Sequence, residues 1–328
     1  MQKPPQWNQS RRQFIKQAGL AAAAVSVPHF SSRASTNNLI EGEKLRIIVD
    51  ADTANEVDDL YAIARALIEP NFQLEGLTSA QWHTQDRAPN DSVGRSQQLN
   101  EEIAQLMGVT DVPLAMGANV PMVNTMRPQP SAAARLIIEK AHASPANEKL
   151  VVVTLGPNTN VASAILMDPT IIPKLKVCYI GFWHDVKQNA WSKREFNTNN
   201  DPNATDLLLN TYGLDFHVMT ATTCQHLVFE KENVDRHLKG KAGIGQYLVD
   251  RWESYDRFWQ QTDKEKREWI MWDVAIIEAL ARPDLAKEAP FITPDDNLQR
   301  EIHAYTWIDV EGMKKRYWEV MDAFVGKN

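Results

Sequence analysis

Residues 150–155 read Leu-Val-Val-Val-Thr-Leu, an almost wholly apolar, β-branched run without polar alternation. A strand with one wet face alternates with period two, so this run belongs in the middle of a parallel sheet covered on both faces. Parallel neighbours need crossover connections, usually helices, and the pattern along the chain supplies them. Short β-rich runs are expected at residues 45–49, 72–78, 112–116, 176–181 and 216–221. Helical spacing is expected at 58–68, 92–107, 132–143 and 161–167, the last after the Gly156-Pro157 break. Beyond residue 225 the chain reads as mostly helical and Trp-rich, closing with a strand-like stretch at 301–310. Strands alternating with helices predict one α/β domain with a mainly parallel central sheet flanked by helices and a Rossmann-like core.

The first 34 residues are of another kind. They contain no Asp or Glu, and Ser10-Arg11-Arg12-Gln13-Phe14-Ile15-Lys16 precedes an apolar stretch of about ten residues at 18–27. A bilayer span needs about 20 such residues. Charged start, short apolar middle and the small-residue exit Ser32-Arg33-Ala34 describe an export signal. The paired arginines resemble the twin-arginine class, so the expected location is periplasmic or secreted. The expected mature domain is then 35–328. Removing 1–34 turns a formal charge of −7 into −12, with 30 basic residues facing 42 acidic ones. No basic block is left to bind nucleic acid, and no later run is long and apolar enough to span a membrane. Cys178 and Cys224 sit in apolar, strand-like contexts without a metal-ligand spacing, and are expected as buried free thiols.

The chemistry concentrates at Asp50-Ala51-Asp52-Thr53-Ala54-Asn55-Glu56-Val57-Asp58-Asp59, directly after the first strand. Five acidic side chains in ten residues, with no Lys or Arg among them, repel one another unless a cation neutralises them. Asp58 and Asp59 open a helix and are also explained by its dipole, but Asp50 and Asp52 at a strand end are not. Ligand sites of parallel α/β sheets lie beyond the carboxyl ends of strands, where this cluster falls. Oxygen donors without His or Cys favour Ca²⁺ or Mg²⁺ over zinc.

Two enzyme families open in this way. Apolar-Asp-x-Asp-x-Thr resembles the first motif of haloacid-dehalogenase-type phosphotransferases, but no Lys motif or late acidic pair follows. The Asn-Glu-x-Asp-Asp continuation resembles the inosine–uridine nucleoside hydrolases, in a long-loop variant. Three further segments match that family in order. They are Gly156-Pro157-Asn158-Thr159-Asn160, then Asn189 with Glu195-Phe196-Asn197 and Asp201-Pro202, then Trp272-Asp273-Val274. The similarity runs from about residue 45 to 310.

The resemblance implies Ca²⁺ held by Asp52, Asp59, the Leu155 carbonyl and Asp273. Asp58, Asn189, Glu195 and Asn197 would hold the sugar, with Asp50 behind the metal fixing the loop. It further implies hydrolysis of the N-glycosidic bond of ribonucleosides to ribose and free base, as for salvage. A metal-bound water would attack, Asp52 would be its general base, and the protein would form dimers or tetramers.

The base-binding end departs from the family pattern. Trp272 stands where the inosine–uridine branch has a His acid, and His83 is the residue nearest to a missing ribose-contacting Asn. His226 is then a candidate leaving-group acid, with His184 and His83 as others. Trp82, Trp183, Trp191 and Trp272 lie near site segments and suit stacking on a base. Two other readings stay open: a metal-dependent sugar- or nucleoside-binding protein without turnover, or a hydrolase of another N-glycoside. A phosphorylated substrate would need a basic pocket, for which Arg87, Arg95, Arg127 and Arg194 are available. The export reading predicts that a reporter fused after residue 40 reaches the periplasm of a bacterial host, and that changing Arg11 and Arg12 together to Lys retains it in the cytoplasm, as fractionation would show.

Overall fold

The structure, a computed structural model, describes residues 44–257 and 262–327. The export signal expected at 1–34 lies outside the described residues. Twelve strands are present among them. The first five are β1 (Leu45–Ala51), β2 (Phe72–Ser79), β3 (Leu114–Met116), β4 (Leu150–Thr154) and β5 (Leu175–Gly181). A short hairpin, β6 (Trp183–Asp185) and β7 (Ala190–Ser192), precedes β8 (Asp215–Thr220). The last four are β9 (Val228–Glu230), β10 (Glu268–Ile270), β11 (Ala286–Ile292) and β12 (Glu301–Ile308).

The helices of the first half are α1 (Asp58–Leu67), α2 (Ser92–Leu106), α3 (Ala132–His142), α4 (Thr159–Met167), α5 (Phe196–Asn200) and α6 (Pro202–Asn210). Those of the second half are α7 (Ala221–Cys224), α8 (Lys231–Leu238), α9 (Ile244–Ser254), α10 (Trp272–Ala281) and α11 (Val310–Val325).

Eight strands form one sheet in the order β11-β12-β8-β5-β4-β1-β2-β3. Every pairing is parallel except that of β11 with β12. The run at 150–155 becomes β4, paired on both sides as its composition predicts. Its alternate side chains feed two cores: Val151 and Val153 pack under α1, α9, α10 and α11, while Leu150 and Val152 pack under α3, α4 and α6. Such double coverage is why the run carries no polar face. Cys178 and Cys224 are both buried and free, in the first of these cores.

From β1 the chain builds outward through β2 to β3, then returns to place β4 on the other side of β1. The order reverses there, so the carboxyl ends of β1 and β4 frame a crevice, the usual ligand position in an open α/β sheet. Edge strand β11 was not anticipated. It is largely solvent-facing and carries Pro290, tolerable at an edge because a missing N–H costs no ladder bond there.

At that edge His217 of β8 is held between two carboxylates, Asp215 Oδ1 at 2.8 Å and Glu288 Oε2 at 2.6 Å, and stacks on His303. Burial works against its charge, but the two hydrogen bonds win and raise its pKa. Burial likewise opposes ionisation of Glu288, yet His217 holds it down to about 2, and Asp215 lies below its ordinary range for the same reason. The raised His217 stabilises fully below its unfolded pKa of about 6.5 and ceases to do so as pH rises through its folded value. The two carboxylates contribute above about pH 4 and lose their contribution as pH falls toward 2. His217→Gln is therefore expected to lower Tm more at pH 5.5 than at pH 8.5, as thermal melts at the two pH values would show.

Candidate active site

Beyond the ends of β1, β4 and β5 lies a cavity of about 370 Å³, within the usual range for a small-molecule site. Its floor is acidic. Asp52 follows β1, Asp58 and Asp59 form the first turn of α1, and Asp273 stands in the first turn of α10. One oxygen from each of Asp58, Asp59 and Asp273 lies within 4.8 Å of the other two. Glu56 and Glu195 complete six carboxyl groups on the lining, and among the described residues no Lys, Arg or His joins them.

Packing fixes these groups from behind. Asp50 accepts hydrogen bonds from Thr78 Oγ1 at 2.6 Å and Asn160 Nδ2 at 2.9 Å, tying β1 to β2 and α4. Asn160 also bonds the Ser79 carbonyl and accepts from the Ala118 amide, so one side chain joins four segments behind the loop. Gly156 is required by close approach: a Cβ there would lie 2.9 Å from the carboxyl carbon of Asp52. Glu195 caps its own short helix, its oxygens accepting from the amides of Asn197 and Thr198 at 3.0 and 2.9 Å. Asn197 Nδ2 donates to the carbonyls of Leu155 and Ile180, bridging the ends of β4 and β5.

The electrostatics are adverse without a cation. Two like charges 4 Å apart cost about 4 kcal/mol at an effective dielectric of about 20. Burial is the leading cause that raises Asp52, Asp59 and Asp273 well above the ordinary carboxylate range, and their mutual repulsion raises them further. Burial also lifts Asp58 to about 7 and Asp50 to about 6, against hydrogen bonds that lower them. Asp52 Oδ2 and Asp59 Oδ1 are buried without a hydrogen-bond donor. Buried carboxylate oxygens left without donors, close together, suit a hard divalent cation, and the N-termini of α1 and α10 offset only part of the charge. The residues present thus fit a metal of the Ca²⁺ type.

The walls are different in character. Trp183 and Trp272 meet at right angles with ring centroids 6.1 Å apart, beside Phe196, Ile180 and Ala221. Trp183 owes its place to Phe182, whose backbone adopts φ 59 while its ring is wholly buried against Tyr179 and Trp191. A bulky residue there costs about 1–3 kcal/mol, and the turn delivers the next side chain to the cavity rim.

Of the residues singled out in the sequence, Asp52, Asp58, Asp59, Leu155, Glu195, Asn197, Trp272 and Asp273 line this cavity. Three expected residues do not. The Asn189 amide is engaged by His184, Trp191 and the Ile292 carbonyl, away from the floor. His83 follows β2 outside the lining, and Gln85 of the same loop takes the wall position. His226 is solvent-exposed past the end of α7, whose first residue, Ala221, is the one that reaches the cavity. His184 is stacked on Trp191 and does not line the cavity either. None of Arg87, Arg95, Arg127 and Arg194 is among the described residues that line it. Of the four Trp residues expected near the site, Trp183 and Trp272 line the cavity and Trp82 and Trp191 do not; Glu56 is an addition, since the acidic run contained it but nothing local marked which of its members faces inward.

An acidic, metal-compatible floor at the switch point of a parallel sheet, beside an aromatic wall, defines a small-molecule site of the metal-binding kind. The family model described as inosine-uridine preferring nucleoside hydrolase matches residues 47–319, and the chain belongs to that family of N-glycosyl hydrolases. Among curated proteins it is 24% identical over 232 residues to a probable uridine nucleosidase 2 of Arabidopsis thaliana, covering 63% of this chain and 68% of that one. It is 26% identical over 180 residues to a non-specific ribonucleoside hydrolase of Escherichia coli, covering 49% and 57%. The fold matches that of a purine-preferring ribonucleoside hydrolase from Gardnerella vaginalis, with TM-score 0.66, 20% identity and coverage of 86% of this chain and 100% of that one.

The repulsion within the floor yields a stability prediction. In metal-free protein Asp59→Asn is expected to raise Tm by a few degrees, because it removes a buried carboxyl that its neighbours repel when ionised. Millimolar Ca²⁺ is expected to raise the Tm of the unaltered protein, and the same change should abolish that increase. Differential scanning calorimetry with and without chelator measures both.

Proposed function

We propose that this protein is a Ca²⁺-dependent ribonucleoside hydrolase that seats the sugar on the carboxylate floor and the base against the Trp183–Trp272 wall. The observation that carries this reading is the close approach of Asp58, Asp59 and Asp273, beside buried Asp52 and Glu195, in one cavity. Asp52, Asp59, Asp273 and the Leu155 carbonyl would hold the ion; that carbonyl already accepts from Asn197 and has a second lone pair to offer. When bound, the cation supplies the charge that keeps the cluster ionised and an oxygen-seeking anchor for water and the sugar hydroxyls.

The chain's own groups do the rest. Asp52 Oδ2, free of any hydrogen-bond donor, takes a proton from the attacking water. Asp58 and Glu195 accept hydrogen bonds from sugar hydroxyls, and Asn197 holds the floor of the sugar site in register with β4 and β5. Breaking the C1′–N bond leaves positive charge on the sugar, as in glycoside hydrolysis, and the surrounding carboxylates stabilise it. Phe196 and the two Trp side chains exclude water from the leaving group.

Support for salvage outside the cytoplasm comes from the twin-arginine pattern at 10–16, and assembly into dimers or tetramers follows from the family resemblance. A reading as a binding protein without turnover differs in a measurable way. Purified protein should release reducing sugar from at least one ribonucleoside, and chelator should abolish the release. Asp52→Asn is expected to lower kcat by about 10³-fold or more while sugar binding, followed by calorimetry, stays within about tenfold. Ribose and nucleoside binding with no turnover in the unaltered protein would establish the binding-protein reading instead.

A further inference from the structure

Two helices carry most of the acidic floor, and they meet at their charged ends. α1 presents Asp58 and Asp59 in its first turn, and α10 presents Asp273 in its own. The two helices pack on each other, and the Asp273 amide donates to Asp58 Oδ2 at 3.2 Å. Once ionised, the same carboxyl groups push the two starts apart.

Farther along, a buried ion triad ties the same pair of helices together. Arg65 of α1 is wholly buried and donates through Nε to Glu278 Oε1 of α10 at 2.7 Å. Through Nη2 it donates to Glu69 Oε2, just past the end of α1, at 2.6 Å. Both carboxylates are buried, and Arg316 of α11 approaches Glu69 at 3.7 Å. Arg65 lies six residues beyond Asp59, and Glu278 five beyond Asp273. At 1.5 Å per residue, the bridge sits about 7–9 Å down each axis from the floor.

Such a triad is a poor device for stability alone. Taking three charges out of water costs about what their attraction returns, and apolar side chains of like volume commonly do as well or better. Arg65 Nη1 and Glu278 Oε2 are also buried without a partner, which adds to the cost. An ion triad supplies register instead, because a planar fork meets carboxylates in one orientation and at one offset. Apolar packing offers little register on these faces. Three residues before Arg65 and Glu278, on the same sides of their helices, stand Ala62 and Ala275, both buried in the same core. Small side chains make shallow ridges, against which a neighbouring helix slides easily.

From this geometry, and resting on the metal reading above, we infer that Arg65 is a positioning residue for the cation. With Glu69 and Glu278 it holds Asp59 and Asp273 at their separation against mutual repulsion, and so sets Ca²⁺ affinity rather than the stability of the fold.

The test replaces the triad by neutral groups: Arg65→Met, Glu69→Gln and Glu278→Leu together. Gln keeps the acceptor that Glu69 Oε1 offers the Asn71 amide. Circular dichroism checks folding, thermal melts give the Tm of metal-free protein, and calorimetry gives the Kd of Ca²⁺. The triple variant is expected to melt at or above the unaltered protein while binding Ca²⁺ at least tenfold more weakly. Arg65→Lys keeps the charge but loses the fork, and should weaken Ca²⁺ about fivefold, which a change of charge does not explain. Glu75→Gln breaks the Arg46–Glu75 pair, 2.8 Å long and outside the lining. It should lower Tm and leave the Kd of Ca²⁺ within about twofold.

A Kd within about twofold of the unaltered value in the folded triple variant overturns the inference and leaves the metal reading intact. If the triple variant does not fold, Arg65→Lys decides on the same twofold criterion. Weakening by Glu75→Gln as large as that by Arg65→Lys overturns it too, since affinity then merely follows stability. Failure of the unaltered protein to bind Ca²⁺ overturns both readings.

Discussion

Everything at the centre of this structure answers to one unfavourable interaction, the repulsion among buried carboxylates at the ends of β1, α1 and α10. Asp58, Asp59 and Asp273 bring oxygens within 4.8 Å of one another, with Asp52 close enough to raise both Asp59 and Asp273 further. Among the described residues no lysine or arginine on the lining relieves them. A fold tolerates such a cluster only when other interactions hold its members in place, and the buried bonds behind the floor do so. Asp50 is pinned by Thr78 and Asn160, and Arg65, wholly buried, binds Glu278 and Glu69 to lock α1 against α10. The strain of like charges is thereby converted into affinity for a cation.

The sheet topology decides where that affinity is expressed. Reversal of strand order between β1 and β4 opens a crevice, and the same reversal sets the two strand ends side by side at its base. Asp52 leaves one of them and the Leu155 carbonyl leaves the other. Asn197, donating to Leu155 and Ile180, extends the floor to β5. The polar end is thus built on strand ends and first turns of helices, the least movable parts of the fold. Of the aromatic wall, Trp183 comes from a hairpin, whereas Trp272 shares the first turn of α10 with Asp273.

Much of the floor was legible in sequence because its signals are local. Five acids within ten residues cannot be distributed over a folded surface, and their position after a β-rich run names a strand end. Asp273 and Glu195 were legible only through segments resembling a family, since nothing in their own neighbourhoods requires contact with Asp59. The residues misplaced from sequence share a cause. Asn189, His83 and His226 lie on loops and turns, where one change of backbone direction sends a side chain into the cavity or away from it. Asn189, itself at φ 48, is turned toward the Ile292 carbonyl, a partner about a hundred residues away that no local pattern announces. Edge strand β11 escaped for the related reason that a solvent-facing edge leaves little apolar signature.

The sequence by itself determined the parallel sheet, the acidic metal-compatible loop and a tryptophan at position 272, where the pattern it resembles has a histidine. Hydrophobic period, charge density and residue identity are properties of short stretches and survive without coordinates. Only the tertiary structure decided which carboxylates converge, which asparagine is spent on scaffolding, and that Trp183 and Trp272 meet on the wall of the same cavity. Those outcomes depend on where strands from distant parts of the chain end relative to one another, and on a single left-handed residue at Phe182 that aims its neighbour. Convergence in space is a sum over many crossovers, and no window of sequence contains it.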